Sequence, residues 1–235
     1  MAVWCVVPAG GVGSRVGAAV PKQYLTLESR PLLSWTLEAL MSAPIDGIAL
    51  VVAPNDMHID SIELPRGVRI VREGGASRAI SVLAGLDALR DELDAGDLVL
   101  VHDAARPCLD SALVRRLIEA VANHADGGLL ALPVADTVKR AGSVSGSLVV
   151  SETLDRRGLW LAQTPQAFPF ARLRLALRAA LARGDAVTDE ASAIELDGGR
   201  PLLVPGAHEN LKVTEAADLA LAAFWLGRRA AEGAA

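Results

Sequence analysis

Short apolar runs alternate along the chain with segments whose apolar positions recur at three- and four-residue spacing. Ala2 to Val7 is almost wholly apolar and rich in β-branched residues, the pattern of a strand buried on both faces of a parallel sheet. Further runs of this kind are Ile48 to Ala53, Val68 to Val71, Leu98 to Val101, Gly128 to Pro133 and Leu202 to Val204. Between them lie helical faces. Pro31 opens one at its first position and Pro44 ends it, with Leu33, Leu37, Leu40 and Met41 on one side. Pro54-Asn55-Asp56 turns into a short helix. Val82, Leu83, Leu86 and Leu89 mark the next long one. Asp110 caps another that turns Leu113, Val114, Leu117, Ile118 and Val121 inward. The alternation predicts right-handed βαβ units: an α/β, Rossmann-like fold with a mostly parallel sheet flanked by helices.

The rhythm breaks at about Val134. From Ala135 to Arg157 the chain runs through Thr137-Val138-Lys139-Arg140, a Gly/Ser stretch and Leu148-Val149-Val150. That is the pattern of a hairpin, too polar and too thin to bury a core of its own. It is either an arm that reaches a second subunit or a loose surface hairpin. The α/β pattern then resumes with Leu173, Leu177, Ala180 and Leu181, stopped by Gly184. Thr188-Asp189-Glu190 starts another helix with acids at its positive end. Thr214 is expected to cap a last helix carrying Leu219, Ala222, Ala223 and Leu226.

The chain has 235 residues, which fits a single domain, 1–235, with residues 135–157 as an arm within it. A chain this long buries enough surface to need no staples. Cys5 and Cys108 are its only cysteines, and they form neither a metal-spacing motif nor a disulfide framework. The net charge of −5 argues against broad nucleic-acid binding. No long uncharged apolar run predicts a membrane span, and the first strand lacks the basic leader of a signal peptide. A cytoplasmic protein is expected.

Candidate chemistry gathers at the ends of the strands. Pro8-Ala9-Gly10-Gly11-Val12-Gly13-Ser14-Arg15 follows the first strand and Pro21-Lys22-Gln23 closes the loop. It is neither a P-loop nor a Gly-x-Gly-x-x-Gly fingerprint, because the spacings differ. Its glycines serve either chain reversal alone or the close approach of backbone N–H groups to a triphosphate. Arg15 and Lys22 add fixed positive charge. Asp103, just after the fourth strand, is either a Mg²⁺ ligand beside phosphates or a turn cap that pairs with Arg106. Arg78 and Ser81, after Gly74-Gly75, either read a base edge or cap a helix. His102 suits a hydrogen-bonded structural role.

Eight motifs stand in order along nearly the whole chain. Those above are joined by Asp136-Thr137-Val138-Lys139, Thr164-Pro165-Gln166-Ala167-Phe168, Thr188-Asp189-Glu190-Ala191-Ser192 and Asn210-Leu211-Lys212-Val213-Thr214. In this order the chain resembles the 2-C-methyl-D-erythritol 4-phosphate cytidylyltransferase family of the non-mevalonate isoprenoid pathway. The resemblance implies transfer of CMP from CTP to 2-C-methyl-D-erythritol 4-phosphate, a divalent cation (Mg²⁺), and a homodimer joined through the arm. It implies that Arg15, Lys22, Arg156 and Lys212 are catalytic, with Arg156 supplied by the neighbouring subunit. Pro8, Ala9, Gly10, Gly11, Val12, Gly13, Gly75, Ser81, Asp103 and Ala104 would hold the nucleotide, and Asp103 the metal. Arg106, Asp136, Thr137, Thr164 and Thr188 would line the acceptor pocket. Gly10 stands where the family more often has alanine, and Val16 where it has methionine or leucine.

Three other readings remain open on the residues. One is a cytidylyltransferase for ribitol 5-phosphate, with overlapping motifs. Another is a sugar 1-phosphate nucleotidyltransferase using UTP or dTTP, which the Gly74 to Ser81 turn and the short chain disfavour. The last is a catalytically dead binding module, which the joint presence of Arg15, Lys22, Asp103 and Lys212 disfavours.

Overall fold

The computed structural model describes residues 1–11 and 20–233; Val12, Gly13 and Arg15 of the expected phosphate loop lie outside them. The chain opens with β1 (Val3–Pro8), followed by the two-residue strands β2 (Thr26–Leu27) and β3 (Arg30–Pro31), which pair as a tight antiparallel ribbon. Then come α1 (Leu32–Met41), β4 (Gly47–Val51), β5 (Val68–Val71), α2 (Arg78–Ala88), β6 (Leu98–Val101), α3 (Ser111–Val121) and β7 (Gly128–Pro133). The hairpin is β8 (Val138–Val144) with β9 (Ser147–Leu154). The chain continues through β10 (Trp160–Pro169), α4 (Phe170–Arg183), α5 (Glu190–Leu196), β11 (Leu202–Pro205) and α6 (Ala216–Gly233).

Among the described residues, seven strands form one sheet in the order β11-β7-β10-β6-β1-β4-β5. Each pair in it is parallel except those made by β10, which runs antiparallel to β6 and β7. The expected mostly parallel sheet is therefore observed, with one reversed strand at its centre. Side chains alternate faces along a strand, and the core divides accordingly. Cys5, Val7, Ile48 and Leu50 face α1 and α3. Val6, Ala49 and Val51 face α2, α4 and α5. Both faces of β1, β4 and β6 are covered, which is why these strands read as unbroken apolar runs.

The helix ends follow local chemistry. The Ser77 side chain accepts from the Ile80 N–H and caps α2. Asp110 Oδ1 accepts from the Ala112 N–H and caps α3. Gly184 ends α4 at φ 76°, a conformation that glycine adopts without penalty. Pro31 sits one residue before α1, not inside it. The helix expected after Pro54 is a single 3₁₀ turn, His58–Ser61. Thr214 does not cap α6 as expected. The roles are reversed: Asp218, in the first turn, accepts from the Thr214 N–H and hydroxyl and from the Glu215 N–H.

Among the described residues, the hairpin strands pair only with each other. Leu148 is 84% exposed and Val144 and Val150 are about 60% exposed, at 61% and 62%, so its apolar side chains bury little within this chain. No described helix is long and apolar enough to cross a membrane.

Candidate active site

β4 and β5 lie to one side of β1 and β6 to the other. The sheet order thus reverses at β1, the place where open α/β sheets leave a crevice beyond their strand ends. A cavity of about 260 Å³ lies there. The segment after β1 gives it Pro8, Ala9, Gly10 and Gly11; the turn after β5 gives Gly75 to Arg78; the turn after β6 gives Asp103, Ala104 and Ala105. Lys22 and Gln23 close one side and Lys212 another. A larger hollow of about 530 Å³, beside Arg30, Glu38 and Glu63, contains none of the motif residues.

Backbone contacts fix the crevice walls. The Ala9 N–H donates to Val51 O at 2.7 Å and the Gly74 N–H to Val52 O at 2.8 Å, so the loop after β1 and the turn after β5 both hang from β4. Gln23 Nε2 donates to Ala9 O at 2.6 Å. Glycine at 74 is a steric requirement: a Cβ there would lie 2.7 Å from Val52 O. At Gly75 a Cβ would lie 2.1 Å from Ile80 Cγ2. The Ser81 hydroxyl is already part of this turn. It accepts from the Gly75 N–H and donates to Ser77 O, each at 3.1 Å.

Asp103 is the electrostatic centre. Its carboxylate meets Arg78 Nε at 3.1 Å on Oδ1, and on Oδ2 it meets Lys212 Nζ at 3.0 Å and Arg106 Nε at 3.3 Å. Burial opposes its ionisation, but the charges of Arg78, Lys212 and Arg106 prevail and hold the carboxyl well below the usual carboxylate range. Of the alternatives raised for Asp103, the pairing with Arg106 is observed, and the residue also lines the cavity.

Behind Asp103 lies a buried polar frame. The Asp103 N–H donates to Thr164 Oγ1 at 3.0 Å, and that hydroxyl lies 3.0 Å from His102 Nδ1. Arg106 O can only accept, so His102 Nε2 carries the ring proton and donates to it at 3.3 Å; in the neutral ring Nδ1 is then the acceptor and takes the Thr164 hydroxyl proton. This is a neutral imidazole, and burial pushes its pKa down to about 4. His102 thus has the structural role expected of it. Arg106 Nη1 donates to Asn210 O and Asn210 Nδ2 to Thr164 O, each at 2.7 Å. The Val213 N–H donates to Ala105 O at 2.8 Å. These bonds tie the segment bearing Lys212 to the turn bearing Asp103.

A family model described as IspD, 2-C-methyl-D-erythritol 4-phosphate cytidylyltransferase, matches residues 3–228. The chain belongs to the 2-C-methyl-D-erythritol 4-phosphate cytidylyltransferase family. A relative of that name from Chromobacterium violaceum is 52% identical, over 95% of this chain and 97% of its own. One from Acidithiobacillus ferrooxidans is 48% identical, over 98% and 99%. The crystal structure of a 4-diphosphocytidyl-2C-methyl-D-erythritol synthase superposes with a TM-score of 0.82 at 39% identity, covering 96% of this chain and 98% of that one.

Against what that family resemblance implied, the described site residues fall into three groups. Pro8, Ala9, Gly10, Gly11, Lys22, Gly75, Ser81, Asp103, Ala104 and Lys212 share the one cavity. Arg106 and Thr164 are buried behind Asp103 with their polar atoms engaged, so within this chain they support the site from below. Asp136, Thr137, Arg156 and Thr188 are exposed and line no part of the cavity. Among the described residues, Arg156 Nη1 donates to Ala135 O, at the base of the hairpin.

Arg78 lines the cavity, and its guanidinium is held by Asp103 and Glu190. Glu190, Gln163, Gln166 and Asn210 were not expected in the frame. All four are buried. The available signal was polar identity inside the motifs Thr164-Pro165-Gln166 and Asn210-Leu211-Lys212.

Proposed function

We propose that the switch-point cavity binds CTP, with Lys22 and Lys212 on its phosphates and the Gly74 to Ser81 turn on its base. The reaction is that of the family: CMP passes from CTP to 2-C-methyl-D-erythritol 4-phosphate, and pyrophosphate leaves. The observation that carries the assignment of roles is the convergence of the bare loop after β1, Lys22, Asp103 and Lys212 on one crevice.

A phosphate monoester is already largely dianionic near neutral pH, so the acceptor attacks the α-phosphorus without a protein base. The neutral, buried His102 agrees with this. The work left to the protein is alignment and neutralisation of charge on the leaving pyrophosphate. Lys22 and Lys212 perform it here, with Arg15 as a third cation by family resemblance. Lys212 pairs with Asp103, and its flexible ammonium can pass to a phosphate oxygen as substrate enters. Gly75 and Ser81 set the cytosine edge against a turn too tight for larger residues.

The donor set suits a divalent cation held jointly with nucleotide. No group of three or more His, Cys, Asp or Glu side chains converges among the described residues. A single carboxylate plus phosphate oxygens is the usual Mg²⁺ arrangement at such sites. Asp103 is the residue that would hold it, and the ion, when bound, would supply further charge neutralisation.

The acceptor side is proposed to be completed by a second copy of the chain. The exposed apolar residues of β8 and β9 would pack on the partner, and Arg156 would reach the partner's acceptor phosphate with its planar fork. Asp136, Thr137 and Thr188 would belong to that composite pocket.

The chirality of the product tests the mechanism. A CTP analogue made chiral by sulfur at the α-phosphorus should react with inversion, the outcome of one in-line displacement. Retention would indicate a covalent enzyme intermediate and would overturn the proposed roles.

A further inference from the structure

Glu190 is the first residue of α5 and is 1% exposed. Its two oxygens take the end-on fork of Arg78: Oε1 from Nη1, and Oε2 from Nη2 at 3.1 Å. Arg78 is left with Nε, which reaches Asp103 Oδ1 at 3.1 Å. One guanidinium thus bridges a carboxylate at the rim of the cavity and another sealed beneath it. Glu190 itself is set rigidly. Asp189 and Ser192 cap α5 reciprocally. Gln166 Oε1 accepts from the Ala191 N–H and Gln166 Nε2 donates to Asp189 Oδ2, each at 2.8 Å. Gln166 lies on β10 opposite Val101, the last residue of β6 and two positions before Asp103.

We propose that Glu190 is a positioning residue for the nucleotide site: it holds Arg78 in a bridging pose that commits only Nε to Asp103 Oδ1 and leaves Asp103 Oδ2 to Lys212 and Arg106. The inference rests on the reading of Asp103 and Lys212 as nucleotide-site residues. Its logic is the geometry of the two side chains. A guanidinium freed from Glu190 can turn its fork onto both oxygens of Asp103, because bidentate pairing is the stronger contact. That pose displaces Lys212 and closes Asp103 to nucleotide and cation. The charge balance changes as well. With Glu190, Arg78 is shared between two carboxylates while Arg106 and Lys212 pair with Asp103; without it, Asp103 faces all three cations alone. A buried ion pair that only held the fold would stabilise the protein without directing Asp103.

Those roles separate in full-length protein carrying Glu190→Gln, Arg78→Lys, or Glu190→Gln with Arg78→Gln. Asp103→Asn serves as the control on the underlying reading. For each, kcat, KM for CTP, melting temperature and calorimetric CTP affinity are measured. Glu190→Gln and Arg78→Lys should each lower kcat by about ten- to a hundredfold, as for one misplaced charge-assisted hydrogen bond. The double variant should regain several-fold over Glu190→Gln alone, because no loose guanidinium remains to occupy Asp103. Glu190→Gln within about twofold of wild type, or a double variant no better than the single, overturns the proposal. If Glu190→Gln does not fold, Arg78→Lys decides by the same kcat criterion, since lysine keeps the charge but cannot bridge both carboxylates. An active Asp103→Asn protein would instead sink the reading of Asp103 itself, and this inference with it.

Discussion

Lys212 Nζ lies 3.0 Å from Asp103 Oδ2, with its side chain 40% exposed while that of Asp103 is 9% exposed. A solvent-reaching cation is paired with a buried acid at the mouth of the cavity. Phosphate oxygens can compete for the ammonium, and Arg78 and Arg106 remain to balance Asp103. Substituting Lys212 or Lys22 by alanine should therefore lower kcat far more than it raises KM for CTP, because the interaction grows as charge moves onto the leaving group. Steady-state kinetics at saturating acceptor checks this. A rise in KM with unchanged kcat would show that the lysines only bind ground-state nucleotide.

The glycine walls give a graded steric test. Gly74→Ala places a Cβ 2.7 Å from Val52 O, whereas Gly10→Ala brings one no nearer than 3.3 Å to Gly74 Cα. The first should abolish or severely weaken CTP binding by displacing the turn. The second should leave affinity within a few-fold, in keeping with the alanine its family more often carries there. Equal effects of the two in a CTP titration would count against this account of the crevice wall.

His102 fixes a pH dependence of stability. Its pKa is pushed down to about 4 by burial, so between pH 6.5 and 4 the unfolded chain takes up a proton that the folded chain refuses. Stability from this group is then complete above the unfolded pKa and is lost as pH falls. The loss amounts to about 3 kcal/mol across the window, as an order of magnitude. Urea unfolding of wild type and His102→Gln at pH 7 and pH 5 isolates the effect. The gap in stability between the two proteins should narrow on acidification; a constant gap would mean His102 does not titrate on unfolding.

The arm carries a prediction across subunits. Arg156→Ala should retain CTP binding and lose affinity for the acceptor. Mixed with inactive Lys22→Ala protein under conditions where subunits are shown to exchange, it should regain activity, because one site of each mixed dimer is then intact. Mixed dimers without recovered activity would place Arg156 elsewhere.

Most of the fold was legible because the buried parallel strands are unbroken apolar runs and the helices keep clean periodicity. β10 was not. It carries Gln163, Thr164, Pro165 and Gln166 in the middle of the sheet, a composition that reads as a loop. These polar side chains are buried because they serve as connectors: Gln163 holds Ala207, Thr164 holds Asp103, and Gln166 holds Asp189 and Ala191. Glu190 was read only as a favourable charge at a helix start. That its side chain turns inward depends on Arg78, which lies 112 positions away, a pairing that no local pattern displays. The residues that share the cavity were legible because they sit at strand ends in compact motifs. The acceptor half was named only through family resemblance, and within one chain its residues do not converge.

The most direct test of the central claim is kcat/KM from pyrophosphate release, measured with CTP or UTP and with 2-C-methyl-D-erythritol 4-phosphate or ribitol 5-phosphate. CTP with the methylerythritol phosphate should exceed every other pair. The margin over UTP should be at least about tenfold, the cost of leaving a buried base-edge group unpaired. Comparable values for CTP and UTP, or a preference for ribitol 5-phosphate, would contradict the account.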